Sequence, residues 1–308
     1  MSSTILSIIQ QFCQRVNIPA PIAVVAATSP AERQYLSLLK YIGDNLRNRP
    51  FMWPQLKRGY VFTTSTGVSN YQLPGDFYRI LDSTQWDVTN QWPLIGPISD
   101  FNSSLRKYAV VSLQTRKAYQ IVGPTQYLYN VSPYAQRSQG WFQISPAATN
   151  STDQLFLGYM SASWVWPKSW VTATSYPAGT IIAGNGYMYR TAAGGVSGAT
   201  RPSHSTGTAT DGTVSWTVFS EFYACDPSNT SLADTDLCLF DEDILIDGLV
   251  WAYRRSKRQE YQDLRVEWED AVKAAYSRFD GPKRISMADQ FSAGDDLFPF
   301  TAPGSWSV

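Results

Sequence analysis

The side chains that could do chemistry in this chain are few and poorly spaced for it. Its single histidine, His204, lies in a Gly/Ser/Thr-rich stretch. A Ser-His-Asp or Cys-His device needs a base held rigidly by a third group, so His204 is expected to be a solvated loop residue. Cys13, Cys225 and Cys238 are odd in number and form no Cys-x-x-Cys pair. That spacing argues against a disulfide framework and against a zinc site, and free thiols in a reducing cytosol are expected. No Gly-x-x-x-x-Gly-Lys-Ser/Thr phosphate loop and no Gly-x-Gly-x-x-Gly turn occurs. Asp234, Asp236, Asp241, Glu242 and Asp243 make a local acidic cluster, but it lacks the alternating Asp pattern and distal Glu of a calcium loop. Helix capping and a solvated face are the expectation there. A glycoside hydrolase needs two carboxylates across a cleft, and no segment recommends such a pair. Neither a catalytic centre, a metal site nor a cofactor is expected.

What remains are charges and aromatics suited to contact. Arg254, Arg255, Lys257 and Arg258 form a basic run that could face a phosphate backbone, pair with acidic residues of a neighbouring subunit, or be a solvated helix face. Across the chain 25 basic residues balance 25 acidic ones, so bulk charge gives no reason to expect a nucleic-acid binder. Eleven Trp and 18 Tyr supply large apolar surfaces with a polar handle, which suit cores and interfaces alike. The N-terminus carries no basic region followed by an apolar core and a cleavage site, so no secretory signal is expected. The four Asn-x-Ser/Thr sequons, at Asn102, Asn130, Asn150 and Asn229, are then chance products of a Ser/Thr-rich chain. The most apolar stretch, Ile18 to Ala27, is short and broken by Pro19 and Pro21, which excludes a membrane span there.

The elements follow from periodicity. Ile5, Ile8, Ile9, Phe12, Cys13 and Val16 recur at helical spacing. After a Pro-rich linker, Ser29-Pro30-Ala31-Glu32 reads as a helix start with an N-cap Ser and Pro at the first position. Tyr35, Leu38, Leu39, Ile42 and Leu46 give that helix its apolar face, and it should end before Pro50. From Lys57 the signals turn to strand. Tyr60–Thr63 and Asn70–Leu73 flank Gly67 like a hairpin, and 119–122, 140–144 and 154–160 add further strands. Between Trp164 and Phe219 charge nearly disappears. Asn185-Gly186 suits a hairpin turn within Ile181–Tyr189, and Asp211-Gly212 supplies a second turn before Val214–Phe219. This segment reads as an inserted module dispensable for folding. In it Tyr187, Tyr189 and Trp216 could stack on sugars or, as the plainer reading, fill the module's own core. Acidic residues then open a helix, with Leu245, Leu249, Tyr253, Tyr261, Leu264, Trp268, Val272 and Ala275 as a stripe interrupted at Ser256 and Lys257. One long helix or two in line is expected. Past Asp280-Gly281-Pro282 the tail should be extended.

Two segments resemble a known family. Leu73 to Ser99 contains Leu-Pro-x-Asp-Phe, Asp-x-Thr-x-Trp-Asp and Pro-Leu-x-Gly-Pro in order. Leu239 to Met287 runs through Gly248-Leu249-Val250-Trp251-Ala252-Tyr253-Arg254, Trp268-Glu269 and Phe279-Asp280-Gly281-Pro282-Lys283-Arg284. Their order resembles the head-to-tail adaptors of short-tailed bacteriophages, over both ends and the β body. The resemblance implies a structural virion protein without enzymatic activity. It would form a homo-oligomeric, dodecameric ring beneath the portal protein, extend the channel for double-stranded DNA, and carry the tail nozzle and tail fibre proteins. Its place would be the head–tail junction of the virion after assembly in the host bacterial cytoplasm, with no membrane association. Arg254, Arg255, Lys257 and Arg258 would then line the channel or a subunit interface. Phe291, Leu297, Phe298, Phe300 and Trp306 would belong to an arm that orders on the portal. The departure is the 164–222 insert, which resembles small β-modules of phage tail and fibre proteins. The alternative is therefore a receptor- or glycan-binding tail component acting through that module. The expected architecture is α+β. Residues 1–56 form N-terminal helices, 57–163 a sandwich or barrel-like body, 164–222 the module, 223–280 a long helix completing a helical bundle, and 281–308 the arm.

Overall fold

Alternation and helical periodicity both hold locally, and the architecture is mixed α+β. The computed structural model describes residues 3–25, 27–74, 76–99, 102, 116–122, 140–185, 187–204, 206–219 and 232–278. The arm residues Phe291, Leu297, Phe298, Phe300 and Trp306, and Cys225, lie outside these.

Among the described residues there are four α-helices: α1 (Ile5–Arg15), α2 (Pro30–Asn48), α3 (Glu242–Ser256) and α4 (Gln262–Ser277). Helix α1 starts where Thr4 Oγ1 accepts from Ser7 N at 3.1 Å, and it buries Ile5, Ile8, Ile9, Phe12 and Cys13. Ser29 does occupy the N-cap of α2, but its hydroxyl makes no capping bond. Helix α3 packs against α1, α2 and α4.

The expectation of one long helix, or two in line, is overturned. After Ser256 the chain leaves the helix through Arg258 at φ 57°. Arg258 N donates to Arg255 O at 3.1 Å and Gln259 N to Arg254 O at 3.0 Å. This reciprocal pair is the Schellman stop, which reverses the chain because its left-handed residue cannot continue a helix. Helix α4 therefore folds back on α3: Trp268 Nε1 donates to Ile244 O at 2.8 Å, while the guanidinium of Arg265 lies 5.9 Å from the Trp251 ring. The apolar stripe serves both helices because they face each other.

The body is built from two antiparallel sheets. One contains β1 (Lys57–Thr63), β3 (Phe77–Ile80), β4 (Trp86–Asp87), β5 (Trp92–Pro93) and β8 (Gln154–Ser161), with β8 pairing β1, β3 and β4. The other has the order β2 (Asn70–Gln72), β7 (Trp141–Ser145), β6 (Ala118–Val122). The expected hairpin around Gly67 does not form. Gly67 does turn, at φ 77°, but β1 pairs β8 and β2 pairs β7, so the turn carries the chain from one sheet to the other. Side chains of both sheets share one core, where Phe62, Tyr119, Phe142, Ile144, Leu155, Leu157 and Tyr159 meet. Among the described residues no sheet closes into a barrel.

The module holds a four-stranded sheet, β11 (Ile181–Gly184), β12 (Tyr187–Thr191), β15 (Val214–Phe219) and β14 (Thr208–Asp211) in that order. The small pair β10 (Ser175–Tyr176) and β13 (Gly195–Val196) lies beside it. The hairpin turn at Asn185 falls as expected, with Asn185 at φ 45° and Gly184 opposite Tyr187. The second turn sits one residue later than expected. Asp211 pairs Val214, so Gly212 at φ 65° and Thr213 are its central residues. A glycine first is what a type II′ turn requires.

Alternation along β11 and β12 gives this hairpin two buried faces. Ile182 and Tyr189 join Tyr176, Val214 and Trp216 in the module's own core. Ile181 and Met188, one residue away on each strand, enter the core of the helices. Removing the module would therefore expose apolar surface of the helical core.

Module entry, the strand that precedes α3 and the chain start meet at one place. Strand β9 (Val165–Trp166) pairs β16 (Leu237–Cys238), and Leu237 bridges Thr4. Beside this ladder Trp164, fully buried, donates its Nε1 to Asp44 Oδ1 of α2 at 3.2 Å. A Cβ at Gly43 would fall inside the Trp164 ring. Gly43→Ala weighs two effects of opposite sign. Helix propensity favours Ala by about 1 kcal/mol, and overpacking costs about 1–3 kcal/mol when the neighbour cannot move. Trp164 is enclosed, so urea unfolding is expected to show a net loss; a gain would place the ring elsewhere.

Candidate functional site

The concave feature that gathers most charge lies where module and body meet. Lys57, Arg58 and Gly59 of β1, Trp166 of β9, Ser169, the β11–β12 turn with Asn185 and Tyr187, and Arg201 line a cleft of about 630 Å³. Among the described residues no Asp or Glu lines it. Its walls are fixed by backbone: Ser169 bridges Ala183, and Ala183 N donates to Lys168 O at 2.9 Å. The segment that follows Arg201 is pinned at two carbonyls. Asn185 Nδ2 donates to Pro202 O at 3.1 Å, and Tyr189 Oη to His204 O at 2.9 Å.

Arg58 is the best-held cation of the three. Its guanidinium stacks 4.5 Å from the centre of the Trp166 ring. Nη1 donates to Gln55 O and Lys57 O, each at 3.0 Å. Its Nε is buried with no hydrogen-bond partner. Burial lowers the Arg58 pKa, against the pull of the Asp76 charge. Asp76 is itself engaged by Tyr159 Oη at 2.8 Å and Ser161 Oγ at 2.6 Å.

The residues singled out in the sequence are scattered. Arg254, Arg255, Lys257 and Arg258 cluster at the exposed tip of the α3–α4 hairpin. Arg255 Nη1 donates to Tyr41 Oη at 3.4 Å, and Lys257 lies 5.3 Å from the Tyr253 ring. Tyr189 and Trp216 are fully buried in the module core, so neither can stack on a sugar. Tyr187 is half-buried and reaches the cleft. His204 is not solvated, contrary to expectation. Its ring packs 4.9 Å from that of Tyr189, and both ring nitrogens are buried without partners.

Acidic residues of the 234–247 region tie the N-terminal segment to the start of α3. Asp234 Oδ1 accepts from Val24 N at 3.1 Å and Val25 N at 2.9 Å. Glu242 accepts from Ser3 and Gln11, and Asp247 pairs with Arg15. Asp241 caps α3 by position only, without a side-chain bond. Among the described residues no group of three or more His, Cys, Asp or Glu could hold a metal ion. Cys13 and Cys238 are free and buried, and burial raises the thiol pKa of both, that of Cys13 to about 11. No helix among the described residues is long and apolar enough to cross a membrane.

Sequence reading missed a buried ionic triad in the body. Lys117 Nζ lies 3.0 Å from Asp87 Oδ2 and 2.6 Å from Asp153 Oδ2. Asp87 also accepts from Asn90 N at 2.9 Å and Asn90 Nδ2 at 3.0 Å, which closes the turn between β4 and β5. Burial works to raise the Asp87 pKa, but the bonds from Asn90 and the Lys117 charge outweigh it and hold it low. Burial works to lower the Lys117 pKa, and its two carboxylates outweigh that and raise it. Asp87 belongs to the Trp-Asp of the resembling segment, but nothing in the spacing pointed to Lys117. The cleft cations were missed for the same reason: Arg201 is remote in sequence from Lys57 and Arg58.

Two predictions follow from these geometries. Asp87, with its folded pKa lowered, stabilises above the ordinary carboxylate range and loses that contribution as pH falls through its folded value. Lys117, with its pKa raised, stabilises below its ordinary value and loses that contribution at high alkaline pH. Lys117→Met is expected to cost about 3–5 kcal/mol near neutrality, because two carboxylates are left buried and unpaired. The deficit should narrow in acid as they protonate; a pH-independent deficit in denaturant unfolding would count against this account. At the hairpin tip, Arg258→Gly is expected to stabilise by about 1 kcal/mol, since glycine adopts the left-handed conformation freely. A lower melting temperature in calorimetry would contradict it.

No protein-family model matches this chain, and a search of curated proteins found no match to it.

Proposed function

We propose that this chain is a head-to-tail adaptor of a short-tailed bacteriophage, a ring-forming structural protein of the virion. In this reading a helical bundle and a β-sandwich body supply two unlike faces, and head-to-tail contacts between such faces close a ring. The ring sits under the portal, extends the DNA channel and presents a platform for nozzle and fibres. It carries out no reaction.

The observation that carries this reading is where the two resembling segments fall. Leu73 and Leu94 lie in the core of the body, and Asp87 in its ionic triad. Phe240, Leu249, Trp251 and Trp268 lie in the core of the helices. The shared residues thus specify the scaffold, as expected for a protein whose function is its shape. Arg258 adds support: a cation stands where the backbone favours glycine, and strain retained in that way marks functional positions. The four cations at this tip are exposed and suit the channel wall or an acidic neighbour. Tyr189 and Trp216 are buried, so a glycan-binding role of the module would not rest on them.

Electron microscopy of the full chain mixed with portal-bearing capsids tests the reading. Dodecameric rings at the portal vertex are the expected result; a chain that neither oligomerises nor attaches would refute it. Truncation after Arg284 should leave a folded protein that no longer attaches. Phe298 and Phe300 in the removed arm would each contribute about 1.5–3 kcal/mol on burial, repeated around the ring. Normal attachment by the truncated chain would remove that role.

A further inference from the structure

We propose that the cleft between body and module binds an acidic saccharide, with its carboxylate among Lys57, Arg58 and Arg201 and a sugar face against Tyr187. The inference uses one chain and does not rest on the ring reading.

The charge in the cleft is local. The chain as a whole is neutral, with 25 basic and 25 acidic residues. Several cations elsewhere are matched, Arg47 with Asp44, Lys117 with Asp87 and Asp153, Arg265 with Glu269, Lys273 with Asp270, and those at the α3–α4 tip stand on an exposed convex end rather than in a cleft. Here three cations line one space, with no carboxylate among its described lining residues. Arg58 is held rigidly by two carbonyls and the Trp166 ring. A preorganised guanidinium on the wall of a cleft is a group that recognises a planar carboxylate.

The remaining lining selects the ligand class. Asn185 Nδ2 is committed to Pro202 O, which leaves its Oδ1 as an acceptor for a hydroxyl. Ser169 adds a hydroxyl of its own. One face of Trp166 is covered by Arg58, and Tyr187, half-buried against the module core, borders the same space with an aromatic surface. An aromatic wall with acceptors at its edge suits a pyranose, whose apolar ring face can lie on it while its hydroxyls reach the acceptors. A volume of about 630 Å³ falls in the range of small-ligand sites. Duplex DNA would call for cations strung along a groove rather than gathered around one space.

Titration calorimetry of the intact chain tests this with trigalacturonate, with maltotriose as the uncharged probe and a duplex oligonucleotide as the phosphate probe. Trigalacturonate is expected to bind, more weakly as salt is added, and maltotriose not to bind. Lys57→Ala and Arg201→Ala, both at exposed residues, should each weaken binding about tenfold, as loss of a charge-assisted hydrogen bond does. Saturation-transfer NMR on the parent chain should show magnetisation passing from protein to sugar ring protons, a readout that needs no variant. Absence of trigalacturonate binding, or unchanged affinity in both variants, would overturn the proposal. Tighter binding of the duplex, sensitive to the same two substitutions, would overturn it in favour of nucleic acid.

Discussion

Close approach of Trp164 to helix α2 is the contact on which the rest of the molecule depends. The indole reaches the helix backbone because position 43 is glycine, and its N–H is satisfied by Asp44 on the next residue. Arg47, one turn on, pairs with Asp44 and donates to Ala162 O at 3.1 Å. Three consecutive demands on α2 thus serve one object, the chain as it leaves β8. On the other side of the indole lies Phe240 at 6.2 Å, just ahead of α3. A large aromatic enclosed in this way contributes about 3–5 kcal/mol, and its position decides where the body, the module and the second pair of helices can sit. A second glycine repeats the device deeper in the helices. At Gly248 a Cβ would meet Ile42 Cγ2 at 2.6 Å and Trp268 Nε1 at 3.1 Å, so α2, α3 and α4 meet over a position that has no side chain.

What could be read from the sequence was what repeats over short distances. The helices at residues 5–15 and 30–48 and the strands around 118–122, 141–145 and 154–161 were legible, because three or four apolar residues at fixed spacing leave little alternative. Partnership between strands was not legible. Gly67 does turn the chain, but nothing nearby distinguishes a hairpin turn from a crossing between sheets; that choice is made by Phe62 and Phe142, which meet from different sheets at 5.2 Å. The reversal at Arg258 was hidden because the residue in the left-handed position is not glycine. An apolar stripe interrupted only at Ser256 and Lys257 reads identically whether two helices run in line or face each other.

Sites were less legible than elements, for a similar reason. Basic residues adjacent in sequence, such as 254–258, announce themselves and land at one tip. Lys57, Arg58 and Arg201 are brought together by the sheet and the module turn, and Lys117 reaches Asp87 and Asp153 across strands. Both groupings are products of tertiary register. The module aromatics show the converse. Tyr187 and Tyr189 are equally conspicuous in sequence, and the two-residue period of the strand puts both on one face; Tyr189 is fully buried in the module core, while Tyr187, at the start of the strand, packs against the edge of that core and borders the cleft.

That same period has a mechanical consequence. Because Ile181 and Met188 sit in the helical core while Ile182 and Tyr189 sit in the module core, the hairpin is a wall common to two rooms. A pull on the module reaches the helices through packed side chains on both strands, with no slack tether between. The module is thereby a stiff outrigger: torque applied at its far edge is delivered to the Trp164 junction, and the two bodies turn as one.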